Sequence, residues 1–163
     1  MTMNPNPIEL LQTLVRLDTT NPPGNEHLVI DWARDYLGKA GIESTILAKD
    51  PNRPNLIARI KGNGAAAPLL LQGHVDVVTT EGQAWDQPPF SGAISDGCVW
   101  GRGTLDMKGA VAMMLSAFIQ AHRDKVSLPG DVILCLLADE EAGGDYGAGF
   151  LVEEHPHLFE GVL

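Results

Sequence analysis

Val132-Ile133-Leu134-Cys135-Leu136-Leu137-Ala138-Asp139-Glu140-Glu141 runs from an unbroken apolar stretch straight into three carboxylates. Apolar residues without polar alternation mark a strand buried on both faces, which in globular chains means a sheet covered by helices on each side. The run is far shorter than the roughly 20 residues that cross a bilayer as a helix. Its abrupt polar end matters as much, because sites in α/β sheets form at the carboxyl ends of strands.

Outward from this run, the pattern alternates between helical and extended segments. Upstream, Val111, Met114, Leu115 and Phe118 give one inner face to a helix over 108–122. Near the N-terminus, Asn6-Pro7 reads as an N-cap and a helix-starting proline, with Ile8, Leu11, Leu14 and Val15 on one apolar face. A second helix carries Val29, Trp32, Ala33, Tyr36, Leu37 and Ala40, and Gly41 stands where a helix-closing glycine belongs. Runs at 44–48, 55–61 and 69–74 have β character, the last read as a buried strand, and 85–103 reads as a loop rich in Pro, Gly and aromatics. Helices alternating with such strands predict an α/β layered domain. No internal repeat, low-complexity tract or linker divides the 163 residues. The closing Gly161-Val162-Leu163 reads as the first residues of a core strand, so a cut within a domain is expected.

The formal charge is −10, from 21 acidic against 11 basic residues. Such a chain is a poor nucleic-acid binder, since it lacks the cations that displace phosphate counterions. The N-terminus has neither the basic nor the apolar region of a signal peptide, which makes the cytoplasm the expected compartment and leaves no membrane role. Cys98 and Cys135 form no CxxC pattern, and Cys135, inside the apolar run, reads as a buried inert thiol.

Three segments carry chemistry. In Gln72-Gly73-His74-Val75-Asp76, residues 74 and 76 point to the same side of an extended chain. A carboxylate can then stand beside the imidazole, as it does behind metal-binding histidines, or can simply satisfy a histidine at a strand end. In Gly101-Arg102-Gly103-Thr104-Leu105-Asp106-Met107-Lys108-Gly109, Asp106 either caps the following helix or offers two oxygens to two cations. Asp139-Glu140-Glu141 is either a solvated turn or a set of mutually repelling carboxylates that a cation would relieve. The Gly62-Asn63-Gly64 stretch leads to Pro68 and a strand rather than a helix, which argues against a nucleotide-binding domain. His155 and His157, beside Pro156, read as loop residues, and His27 and His122 lie in helices away from carboxylate clusters.

Taken in order, these segments resemble the aminoacylase, acetylornithine deacetylase, succinyl-diaminopimelate desuccinylase and carboxypeptidase family of two-zinc metallohydrolases. Pro88-Pro89-Phe90-Ser91-Gly92, Leu17 to Glu26 and Arg53-Pro54-Asn55-Leu56 look familial too. The resemblance implies a zinc-exopeptidase-like α/β domain with a mixed central sheet flanked by helices, residues 1–163 forming the N-terminal portion of its catalytic domain. It implies that His74 and Glu141 bind one zinc each, that Asp106 bridges both, that Glu140 is the general base and that Asp76 orients His74. Co2+ or Mn2+ can substitute for Zn2+. The peptide bond after Asp106 is expected to be cis, and the substrate to be a small N-acyl amino acid or dipeptide. The family's remaining acidic ligand, its C-terminal histidine ligand and its lid domain, through which members dimerise, have no counterpart in these residues. The isolated chain is therefore expected not to turn over and not to form the lid-mediated dimer. The competing expectation is a non-catalytic fragment that binds metal weakly or associates through an exposed strand edge.

Overall fold

The computed structural model describes residues 5–162. The first helix, α1 (Pro7–Arg16), begins as the sequence predicts, with the Asn6 side chain accepting the Ile8 N–H at 3.0 Å. Its buried stripe is Leu10, Leu14 and Val15 rather than one beginning at Ile8, which is 51% exposed. Leu10 and Leu14 are one helical turn apart and face the interior together, while Ile8 falls on the opposite side. Helix α2 (His27–Lys39) closes at Gly41, in the left-handed region at φ +78, with the Ile42 N–H returning to the Leu37 carbonyl.

Strands β1 (Ser44–Leu47), β2 (Asn55–Ile60) and β3 (Leu69–His74) follow, then a small hairpin of β4 (Ala93–Ser95) and β5 (Cys98–Trp100). The hairpin corrects the reading of 85–103 as plain loop. Its turn, Asp96-Gly97, has positive φ at both residues, a geometry that suits the twist of a two-residue hairpin. Helix α3 (Lys108–Arg123), β6 (Val132–Leu137), a 3₁₀ turn at Glu140–Ala142, α4 (Ala148–Glu154) and a second 3₁₀ turn at Pro156–Phe159 complete the order. Gly161 and Val162 are not in a strand, contrary to the expected strand start, and Leu163 lies outside the described residues.

The main sheet has the order β1-β2-β6-β3 and is mixed: β1–β2 and β2–β6 are antiparallel, β6–β3 parallel. The apolar run 132–138 therefore lies inside the sheet, between β2 and β3, and is buried from Ile133 onward. Its alternate residues serve two cores. Leu134 and Leu136 join α1, α2 and α3 through Leu14, Ile30, Leu115 and Phe118. Ile133, Cys135 and Leu137 join Ile57 and the Phe150 and Leu151 side chains of α4.

Strand β3 departs from expectation. Leu69 is 56% exposed, Gln72 is exposed, and only Gly73 and His74 are buried, because β3 stands at the edge of the sheet. Where β3 does go under, it does so tightly. A Cβ on Gly73 would lie 2.9–3.1 Å from Met114, Met107 and Val111, so glycine is what lets α3 settle on the strand next to His74. Among the described residues, no helix is long and apolar enough to cross a membrane.

Candidate metal centre

Parallel pairing brings the carboxyl ends of β3 and β6 to one edge, where His74 pairs with Leu137. His74 is 5% exposed, and its ring is flanked on both sides. Nδ1 stands 3.3 Å from Asp76 Oδ1 and 3.1 Å from the Asp76 carbonyl oxygen. Nε2 stands 3.0 Å from Asp106 Oδ1 and 3.7 Å from Glu140 Oε2. Burial alone would lower the imidazole pKa, but the hydrogen bonds of Asp76 and Asp106 outweigh it and raise it to about 9.

Asp106 sits on the loop after β5, its side chain 75% exposed. It does not cap α3, which has no side-chain cap, so the bland reading of this residue falls away. The Asp106–Met107 peptide is cis, as the resemblance implied. The loop is anchored two residues later by Lys108. That residue is fully buried, and its Nζ donates to the Leu14 and Leu17 carbonyls at the end of α1 at 3.0 and 2.7 Å. Burial lowers the Lys108 pKa to about 8 against the pull of Asp18 and Asp76.

The three carboxylates after β6 do not act as one cluster. Asp139 turns inward, 2% exposed, and pairs with Arg53 at 2.8 Å. Glu140 stays 61% exposed by side chain, and Glu141 is half-buried. The expected crowding is visible at Glu141. Its pKa is raised, first by burial and then by Asp106, Asp76 and Glu140, against the opposing effect of His74. Asp76 is fully buried and does more than face His74: it accepts the Glu140 and Glu141 N–H groups at 3.1 and 3.0 Å and Asn21 Nδ2 at 2.9 Å. Burial works to raise its pKa, but these bonds and His74 hold it below the ordinary value.

His74, Glu140 and Glu141 can each point one ligand atom into a common space, all within 4.8 Å of one another. One imidazole nitrogen and several carboxylate oxygens suit zinc, cobalt or manganese, and a carboxylate on the far imidazole nitrogen is the usual support for such a ligand. The donor set therefore fits a divalent metal. Beside it opens a cleft of about 270 Å³ lined by Val78, Arg102, Leu105, Asp106 and Glu141. A larger apolar cavity of about 390 Å³ lies between β3, β6 and α4, lined by Leu70, Cys135, Leu151 and Phe159. No titratable cluster converges there, whereas the smaller cleft is bordered by Asp106 and Glu141. His155 and His157 stand outside the group. Their rings lie 6.1 Å apart, and His155 packs edge-on against Phe150.

Sequence reasoning assigned no role to Asn21, Glu26, Arg53 or Asn55, although each lies within a stretch that looked familial. Asn21, Glu26 and Asn55 are buried, and Arg53 retains only 11% of its side-chain exposure. Polar residues clustered between Pro and Gly, as in Asn21-Pro22-Pro23-Gly24-Asn25-Glu26, were the available signal.

The sequence pattern of Peptidase family M20/M25/M40 matches residues 70–163. An N-formyl-4-amino-5-aminomethyl-2-methylpyrimidine deformylase of Halalkalibacterium halodurans is 36% identical over 140 residues, covering 83% of this chain and 33% of that protein. A succinyl-diaminopimelate desuccinylase of Paracoccus denitrificans is 37% identical over 154 residues, covering 94% and 39%. The chain thus spans little more than a third of the length of these relatives. Among solved structures, human carnosine dipeptidase 1 superposes with a TM-score of 0.78 at 22% identity, over 96% of this chain and 36% of that one. The Bacillus subtilis YXEP protein, described as a dinuclear metal-binding peptidase, superposes with a TM-score of 0.65 at 21% identity, over 96% and 40%. At these identities the structural likeness is one of fold.

Proposed function

Because this chain belongs to peptidase family M20/M25/M40, a family of metal-dependent hydrolases, we propose that it carries part of a two-zinc site that cleaves the amide bond of small N-acyl amino acids or dipeptides. The observation that supports this most is the convergence of His74, Glu140 and Glu141 within 4.8 Å, with Asp106 on the same imidazole nitrogen. In this reading His74 and Glu141 would each serve one cation and Asp106 would serve both, and Co2+ or Mn2+ could take the place of Zn2+. Cations held there would supply Lewis acidity toward a carbonyl and a water. Asp76 keeps the proton of His74 on Nδ1 and so leaves Nε2 free as a ligand. Glu140 is close enough to His74 to reach the same space yet is the more exposed of the two glutamates, which suits a base that takes a proton from water. It then passes that proton to the leaving nitrogen, so the carboxylate is regenerated.

Residues 1–163 would form the N-terminal portion of the metallohydrolase catalytic domain, in the cytoplasm. Counting Asp106 for both, each cation would have two protein ligands, fewer than the three a catalytic zinc ordinarily has, so turnover is expected to require residues beyond these. A second reading, a non-catalytic chain that binds metal weakly or associates with a partner through a strand, draws on the open edge of β3 with Leu69 exposed.

Metal titration of the 163-residue chain tests the division of labour. Glu140→Gln is expected to bind zinc as the parent does, and Glu141→Gln to bind it more weakly, by more than the roughly 10–100-fold typical of an outer-shell loss. Equal loss in both would refute the roles. An assay with zinc against N-acetyl amino acids and dipeptides is expected to show no turnover by this chain. Zinc-dependent turnover that disappears in Glu140→Gln would make it a working enzyme and discard the second reading.

A further inference from the structure

Four consecutive amides leave the end of β6, and each donates to a side chain carried by a distant segment. Ala138 N–H donates to Asn55 Oδ1 at 2.9 Å and Asp139 N–H to Glu26 Oε1 at 3.1 Å. Glu140 and Glu141 N–H donate to the two oxygens of Asp76, as described above. Buried N–H groups must find acceptors, but at a strand end these usually come from a local turn or from water. Here Asn55, Glu26 and Asp76 supply them, and all three are fully buried.

One cation ties the acceptors to the loop. Arg53 Nη2 stands 2.8 Å from Glu26 Oε1 and 2.8 Å from Asp139 Oδ1, while Nε donates to Glu26 Oε2 at 3.3 Å. The guanidinium lies 4.7 Å from the centroid of the Tyr146 ring, and the Tyr146 N–H donates to Asp139 Oδ2 at 3.2 Å. Asn21 Nδ2 links Asp139 Oδ1 at 3.1 Å to Asp76 Oδ2 at 2.9 Å. The guanidinium also packs against Gly24 at φ +85, where a Cβ would collide with it. The result holds Asp139 at φ +65, a left-handed conformation that non-glycine residues adopt at a cost and keep only where their surroundings enforce it. The next two residues are Glu140 and Glu141.

We infer that Arg53 and Glu26 are positioning residues for the metal centre. Through the side chain of Asp139, held by Arg53, and its N–H, held by Glu26, they fix the directions of Glu140 and Glu141 without touching cation or substrate. This rests on the metal-site reading above, and two readouts keep the two ideas apart. Amide hydrogen exchange in the 163-residue chain measures the clamp with no metal present, and Co2+ titration followed by visible absorption measures its consequence. Arg53→Gln is expected to speed exchange at Asp139, Glu140 and Glu141 on the order of 10-fold or more, while Leu134 and Cys135 within β6 keep their rates. It is expected to weaken Co2+ binding by about 10–100-fold and to change the absorption of the bound ion, with Arg53→Lys recovering part of both. If Arg53→Gln does not fold, Arg53→Lys carries the same comparison at smaller amplitude. Unchanged loop exchange in a folded variant overturns the inference, and so does acceleration spread evenly along β6, the mark of plain destabilisation. Parental Co2+ affinity and spectrum in Arg53→Gln overturn it as well. A parent chain that binds no Co2+ overturns the metal-site reading instead, and loop exchange then decides the clamp alone.

Discussion

Replacing Asp76 with Asn changes one atom in a fully buried side chain, and the structure sets the size of the effect. In the native carboxylate, Oδ1 accepts the Glu140 N–H at 3.1 Å, and Oδ2 accepts the Glu141 N–H at 3.0 Å and Asn21 Nδ2 at 2.9 Å. An amide has only one acceptor oxygen, so in either orientation at least one N–H faces another donor. Leaving such a group unsatisfied costs about 1–3 kcal/mol, and the remaining bonds lose the charge that makes them about twice as strong as neutral ones. Either orientation forfeits two contacts, because Oδ1 also stands 3.3 Å from His74 Nδ1. The expected loss is therefore about 2–4 kcal/mol, a large part of the roughly 5–15 kcal/mol that holds a typical domain together. Urea unfolding of the metal-free chain measures it directly. Stability within about 0.5 kcal/mol of the parent would mean that Asp76 does not hold the 140–141 backbone, and that its buried position serves His74 alone.

Two further outcomes are expected. Asp131 accepts the Gly62 N–H at 2.9 Å and pairs with Arg59 at 2.9 Å and Lys61 at 3.0 Å, which holds its carboxyl below the ordinary carboxylate range. A depressed pKa contributes stability above the unfolded value near 3.9 that is lost as pH falls further. Asp131→Asn should thus cost about 1–2 kcal/mol at neutral pH, as a lower melting temperature, and the gap should close in acid; a gap unchanged at pH 2 refutes this. Cys98 is exposed and Cys135 buried, neither is in a disulfide, and burial pushes the Cys135 thiol up to about 12. A maleimide near neutral pH should label one thiol in the native chain and two after denaturation. Because the thiol stays protonated in the folded state at pH values where the unfolded chain has lost that proton, stability should fall as pH rises from about 8.5 toward 12. Rapid native labelling of Cys135 would contradict its place in the second core.

What could be read in the sequence was what depends on near neighbours. Asn6-Pro7 and Gly41 signal helix ends by chemistry that acts within one turn, and the apolar run at 132–138 signals a covered strand by its own composition. Leu10 against Ile8, and the exposed Leu69, turn on which element packs where, which composition does not encode. The β4–β5 hairpin had its signal in Asp96-Gly97 but was masked by the prolines and glycines around it. Helix α4, seven residues long, is too short for periodicity to stand out, although it supplies the cover for Cys135. His74, Asp106, Glu140 and Glu141 drew notice because an ordered set of motifs marks them. The second duty of Asp76, and the meeting of Glu26, Arg53 and Asp139, depend on residues as far as 113 positions apart that only the folded sheet brings together.

The amides of 138–141 divide inheritance between two groups of residues. The path of that loop is dictated by side chains borne elsewhere, so what stands at 140 and 141 is excused from shaping it. Such a mount accepts new tips. A lineage, or an engineer, can exchange the groups presented at 140 and 141 for another donor or another base while the peptide beneath them keeps its course. The opposite holds for Asn21, Glu26, Arg53 and Asn55. On the clamp inferred above they would stay out of the chemistry, yet a change in any of them would disturb the backbone that carries Glu140 and Glu141, so selection on the reaction should fall on them as well.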